Sequence, residues 1–134
     1  MLHDYKVQIE IPVQWGDMDA SQHVNNVVYL KWVEAARVAF YRSLNEGSLK
    51  NESYIGPILA WQECKYIKPV NYPDTVVIGI KKIETLEDRI ITEVKIISKN
   101  TQQVVAVSKQ STVAYDYQLK QKAPLPLNWI YNES

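Results

Sequence analysis

Near the N-terminus, Tyr5, Val7, Ile9, Ile11, Val13 and Trp15 alternate with Lys6, Gln8, Glu10, Pro12 and Gln14. A period of two marks a half-buried strand, with one face in the core and one toward water. Pro12 has no N–H to give a ladder, so this strand is expected at a sheet edge, or to carry a bulge there. Gly16 to Asn26 breaks the alternation with polar, turn-forming residues. From Val27 to about Arg42 the pattern becomes helical, with good formers and no Gly or Pro. Lys31, Glu34 and Arg37 make one narrow polar stripe; Val28, Tyr29, Leu30, Trp32, Val33, Val38 and Phe40 are apolar. So little polar surface predicts a buried helix rather than one lying on a surface.

A polar connection, Ser43 to Tyr54, leads to four further strand candidates: Ile58–Ile67, Thr75–Ile83, Arg89–Ser98 and Val104–Tyr115. The turns between them, Asn71 to Asp74, Leu86 to Asp88 and Lys99 to Gln102, are short enough for antiparallel neighbours. Strand, helix and four strands predict an α+β fold in which an antiparallel sheet packs against one long helix. The last strand carries Val105, Val107, Val113 and Tyr115 on one face and Val104, Ala106, Thr112 and Ala114 on the other. Neither face is strongly polar, which points to a partner subunit over the outside. Gln118 to Ser134, with Pro124 and Pro126, is expected to be irregular, with Trp129, Ile130 and Tyr131 available for docking.

Composition narrows the possibilities. At 134 residues the chain is expected to form one domain spanning residues 1–134, and 46% hydrophobic residues suffice for a real core. Fifteen basic and fifteen acidic side chains cancel, which argues against a nucleic-acid partner. One cysteine, Cys64, excludes an internal disulfide and fits a reducing compartment. The N-terminus has no apolar signal core, and no stretch approaches the roughly 20 apolar residues of a membrane span. A cytoplasmic location is expected.

The polar loop before the helix carries the candidate chemistry. Asp17 and Asp19 are two positions apart and would point the same way in an extended segment. Asx turns leading into the helix account for both, and the loop is too sparse in ligands for a metal site. His23, Asn25 and Asn26 stand just before the helix, and either asparagine suits the N-cap. The same groups also fit acyl transfer. A helix N-terminus offers free N–H donors and partial positive charge to a developing oxyanion. A carboxylate a few residues upstream could attack the carbonyl or activate water.

The run from Trp15 to Asn26, WGDMDASQHVNN, with the following VVYLKWVEAAR, resembles the signature of hotdog-fold acyl-CoA thioesterases, in particular the 4-hydroxybenzoyl-CoA thioesterase-like branch. A second stretch, Cys64 to Val76, resembles the same family's turn. The resemblance implies a hotdog fold, a curled sheet of five or more antiparallel strands around one central helix. It also implies a homodimer or homotetramer with active sites at subunit interfaces. By position it makes Asp19 the catalytic carboxylate and sets the carbonyl-polarising N–H at Asn26, within a residue. Asp17 and Asn25 would support the loop and the substrate, while His23 departs from the benzoyl-type pattern and is free to orient water or the carboxylate. Tyr29, Trp32 and Trp61 are core candidates that could line an acyl pocket, and Glu63 is a second acidic candidate. Lys65, Lys68, Lys81, Lys82 and Arg89 are candidates for CoA phosphates. The implied activity is acyl-CoA hydrolysis without cofactor or metal. An acyl-ACP thioesterase, or a non-catalytic acyl-binding module of the same fold, is the alternative.

Overall fold

The structure, a computed structural model, describes residues 1–45 and 54–131, so most of the connection expected around Gly47 lies outside the described residues. The elements are β1 (Val7–Pro12), one 3₁₀ turn (Trp15–Asp17), α1 (Asn26–Asn45), β2 (Ile55–Tyr66), β3 (Thr75–Thr85), β4 (Arg89–Ser98), β5 (Gln103–Asp116), β6 (Gln121–Ala123) and α2 (Leu127–Ile130). The sheet runs β1-β3-β4-β5-β2, with every pairing antiparallel. Short β6 continues along β5 past the point where β4 begins. β1 is an edge strand, one of the two placements that Pro12 allows.

One sheet face receives α1. Ile78 and Ile80 of β3, Val94 and Ile96 of β4, and Ala106 of β5 join Trp32, Val33, Ala36 and Phe40 in one buried cluster. Extra residues at Ala60, Ile83 and Val105 break the register of β2, β3 and β5. Such bulges bend a strand and increase its twist, which lets the sheet follow a helix.

Two expectations need correction. In the single chain α1 is not buried all round: Tyr29, Trp32, Val33, Ala36, Phe40, Tyr41 and Leu44 are buried, but Val27 and Val38 are 59% and 44% exposed. Lys31, Glu34 and Arg42 share that outward face. Nor is the described part of the tail, residues 118–131, irregular throughout. β6 and α2 order it, and Trp129 is 1% exposed with its ring 4.7 Å from that of Tyr41. Lys82 Nζ donates to the carbonyls of Trp129 and Ile130, at 3.0 and 2.9 Å, and so holds the end of α2.

The N-terminal residues fold over the outer sheet face, where Leu2, Tyr5 and Ile97 form a second buried cluster. Gly79 of β3 makes room for them. A Cβ there would lie 2.9 Å from Leu2 Cδ2 and 2.9 Å from Tyr5 Cβ. Gly79→Ala is therefore expected to lift this segment and cost about 1–3 kcal/mol, the usual range for overpacking, read as a lower midpoint in chemical denaturation.

Candidate active site

The loop from Trp15 to Asn25 is a small hairpin in front of α1. Met18 and Val24 form an isolated antiparallel bridge, and Asp17 O accepts from Asn25 N at 2.9 Å. Asp19 N donates to His23 O at 3.0 Å, and Gln22 N to Asp19 O at 2.9 Å. The last bond closes a tight turn with Gln22 in the left-handed region, φ 63°. Two ties anchor the hairpin to the β2–β3 connection: Val24 N to Val70 O at 2.9 Å, and Asn71 Nδ2 to Gln22 O at 2.5 Å.

This geometry separates the two aspartates. Asp17 lies in the 3₁₀ turn rather than in an extended segment, and the two carboxylates take different partners. Its Oδ2 accepts from Gln14 N at 2.8 Å, which stabilises the turn. Asp19 sits at the exposed hairpin tip, where Oδ1 accepts from Ser21 N at 2.9 Å. The Ser21 N–H, then the Ser21 hydroxyl, and more weakly the charge of His23, hold the Asp19 carboxyl below its ordinary value, against a small opposing desolvation. Such hydrogen bonds favour the ionised form, so Asp19 is a carboxylate at neutral pH.

The helix mouth divides its asparagines in the same way. Asn25 Oδ1 accepts from Val27 N at 2.8 Å, and Asn25 O accepts from Val28 N at 2.9 Å. Asn25 is thus the N-cap. Asn26 is the first helical residue, and among the described residues its N–H meets no acceptor. Its carbonyl accepts from the Tyr66 hydroxyl at 3.3 Å, tying the end of β2 to the start of α1. Tyr29 lies one turn in, buried, with its hydroxyl donating to Lys68 O at 3.3 Å and its ring 5.2 Å from that of Tyr66.

Two hollows open at this loop. One, of about 440 Å³, is lined by Trp15, Met18, Asp19 and Gln22. The other, of about 240 Å³, is lined by His23, Val24, Asn26, Tyr29, Tyr66, Ile67, Lys68 and Pro69. In the single chain, therefore, Asp19 and Asn26 line separate hollows on either side of the turn between Asp19 and His23. Trp15, 73% exposed, stands over the first. The candidates Asp19, His23, Asn26 and Tyr29 all reach this region, while the carboxylate of Asp17 and the amide of Asn25 are spent on loop and cap.

Glu63 does not come to the loop. Its partner in register on β5 is Lys109, on the outer face, whereas the neighbouring pair Gln62–Gln110 shares the helix-facing side with Thr112. Of the basic candidates only Lys68 lines a hollow of the site. Lys81 pairs with Asp4 at 2.6 Å and Arg89 with Asp88 at 3.0 Å. Tyr66 and Trp15 were not singled out from sequence. Tyr66 lies in the second family-like stretch, and that stretch was the signal available for it. Among the described residues no group of three or more His, Cys, Asp or Glu side chains could hold a metal ion.

A thioesterase-like superfamily model matches residues 13–132. The chain belongs to that superfamily. It is a thioester hydrolase, and its antiparallel sheet with one long helix is the hotdog fold. Among solved structures, the PA2801 protein of Pseudomonas aeruginosa is 27% identical, with 94% of this chain and 96% of that one covered and a TM-score of 0.81. A Thermus thermophilus thioesterase complexed with coenzyme A and Zn is 24% identical over 91% of this chain and 92% of that one, TM-score 0.77. A 1,4-dihydroxy-2-naphthoyl-CoA thioesterase from Synechocystis is 17% identical over 92% of each chain, TM-score 0.76. No curated protein matches the chain. No helix among the described residues is long and apolar enough to cross a membrane.

Proposed function

We propose that this hotdog thioesterase hydrolyses an acyl-CoA thioester to free CoA and a carboxylic acid, with Asp19 and the Asn26 N–H as its reacting groups. The supporting observation is the division of labour at the helix mouth. Asn25 caps the helix and leaves the Asn26 N–H without an acceptor among the described residues, a few residues beyond a carboxylate held ionised by Ser21. The thioester carbonyl is polarised at Asn26, where the donor and the helix dipole favour the oxyanion. Asp19 then attacks the carbonyl carbon, expelling the thiolate and forming an anhydride that water cleaves, or it takes a proton from the water that attacks. Either route consumes one water and ends with a proton on the CoA thiol; the water oxygen enters the acid when water attacks the acyl carbon, and enters the Asp19 carboxyl when water attacks the Asp19 side of the anhydride. A single turnover in ¹⁸O-water separates them, because only the anhydride route can leave the label in the Asp19 side chain.

His23 and Lys68 line the hollow with Asn26; in this reading His23 orients water and Lys68 meets a CoA phosphate. Because Asp19 and Asn26 line separate hollows of one chain, we propose that the working site forms at the interface of a homodimer or homotetramer, measurable by light scattering. The defining experiment is a thiol-release screen over short, medium, long and aromatic acyl-CoAs, with acyl-ACP substrates as the competing arm and Asp19→Asn as the blank. Binding of acyl-CoA without thiol release from any carrier would return the protein to an acyl-binding role.

The pH profile is a second check. With its pKa lowered, Asp19 stays ionised as the solution becomes weakly acidic, so kcat/KM should hold level there before its acid limb begins. Ser21→Ala removes the hydroxyl and keeps the N–H. It should shift that limb to higher pH without changing the plateau substantially.

A further inference from the structure

The helix-facing side of the sheet carries one polar row. Lys82 on β3, Thr92 on β4, Gln110 on β5 and Gln62 on β2 are successive partners in register. The rows toward the active-site end hold mainly apolar side chains, such as Ile80 with Val94 and Ile78 with Ile96. Burying polar groups costs free energy unless their hydrogen bonds are completed. At one end the row is completed: Lys82 serves the carbonyls of α2, and the Thr92 hydroxyl donates to Gln110 Oε1 at 3.1 Å. At the other end it is not. Gln110 Nε2 donates to Ser108 Oγ at 2.9 Å, which uses one of two amide protons. Gln62, half-buried on the edge strand, has no side-chain partner among the described residues.

Above this end lies Arg37. On α1, Tyr29, Val33, Arg37 and Tyr41 form one i, i+4 stripe. Tyr29 packs on Tyr66 and the Tyr41 hydroxyl bonds Thr112. Those two sheet contacts bracket Gln62 and Gln110 along β2 and β5, so Arg37 falls between them. Its Nη1 is buried and has no hydrogen-bond partner. The groups that act on its charge are Glu34, exposed one turn earlier, and Tyr41. The helix stripe and the strand register thus set an orphaned cationic donor over the stretch of sheet that holds two amides with protons to spare, a combination suited to an anion.

We propose that Arg37, Gln62 and Gln110 form a subsite for a carboxylate at the far end of the acyl group, so that the preferred thioesters are those of dicarboxylic acids. This rests on the reading of Asn26 as the carbonyl site. From Asn26 to Arg37 is about 16 Å along the helix axis, and helical side chains lean back toward the N-terminus. The subsite therefore selects acyl chains of medium length.

The test is thiol release from pairs of acyl-CoAs of equal length, one ending in a carboxylate and one in a methyl group. The native protein should favour the carboxylate member at medium length by about tenfold to a hundredfold, chiefly through KM. Arg37→Met should bring the pair close to parity, and Arg37→Lys should keep part of the preference. Equal or better turnover of the methyl-ended member at every length overturns the subsite and leaves the hydrolase reading standing. So does an Arg37→Met protein whose oligomeric state changes while its preference does not. If no pair releases thiol, the catalytic reading fails, and the subsite is judged separately by binding of the same pairs to Asp19→Asn. Tighter binding of the carboxylate member, weakened by Arg37→Met, supports it; equal binding overturns it.

Discussion

Asp19→Asn is expected to lower acyl-CoA hydrolysis by about a hundredfold to ten-thousandfold, the usual contribution of a positioned acid–base group, with acyl-CoA binding retained. The substitution isolates charge from shape. An asparagine carbonyl can still accept from Ser21 N, as Asp19 Oδ1 does at 2.9 Å, so the turn closed by Asp19 O and Gln22 N should survive. What disappears is the negative charge that attacks carbon or removes a proton from water. Stability should hardly move near neutral pH, because the side chain is exposed and exposed electrostatic contributions are small. The sign is still defined. A carboxyl whose pKa is lowered in the folded state adds stability above its unfolded value, and that contribution fades as pH falls through the folded value. Asp19→Asn should therefore be slightly less stable than the native protein at neutral pH, and the gap should close in acid. Steady-state kinetics beside thermal melting at two pH values checks both parts, and normal turnover by Asp19→Asn would remove it from the mechanism.

The long elements were legible because their periods are strong. β4 ends where alternation and turn residues place it, at Arg89 and Ser98. Pro12 limited β1 to an edge or a bulge for a covalent reason, the missing N–H, and of the two the structure has the edge. Period alone could not say what covers an apolar helix face. Val27 and Val38 look like core in sequence, yet they face outward in the single chain. The tail failed for the opposite reason. β6 has three residues and α2 four, too short for either period to register, and their order comes from the docking of Trp129 against Tyr41.

At the site, residue types were readable and assignments were not. Two aspartates and two asparagines announced the loop, but one position of register decides which asparagine caps and which keeps a free N–H. A single 3₁₀ turn gives the Asp17 carboxylate to Gln14 while that of Asp19 takes Ser21. The extra residue at Ala60 resets the alternation of β2, so the side of the sheet holding Glu63 could not be counted from either end of the strand. The polar row under α1 was hidden as well, since Thr92 and Gln110 look like outward positions in any strand until the register places them beneath the helix.

Asn26→Pro should cost the reaction about 2.7–4 kcal/mol of transition-state stabilisation, roughly a hundredfold to a thousandfold in kcat, with the fold intact. A backbone donor is normally beyond the reach of mutagenesis, but here the position allows it. Asn26 is the first residue of α1, where proline is favoured because its fixed φ suits the helix and its absent N–H has no helical partner to lose. The preceding residue, Asn25, is the cap, and caps take the extended conformation that a following proline prefers. The capping bonds from Val27 N and Val28 N to Asn25 do not involve the lost proton. Asn26→Ala is the control: it keeps the N–H and removes the side-chain amide. If the helix mouth polarises the thioester carbonyl, Asn26→Ala should stay within a few-fold of the native rate while Asn26→Pro loses two to three orders of magnitude. Both variants should unfold near the native midpoint. Equal losses in the two would assign the effect to the asparagine side chain, and no loss in the proline variant would move the oxyanion donor elsewhere in the loop.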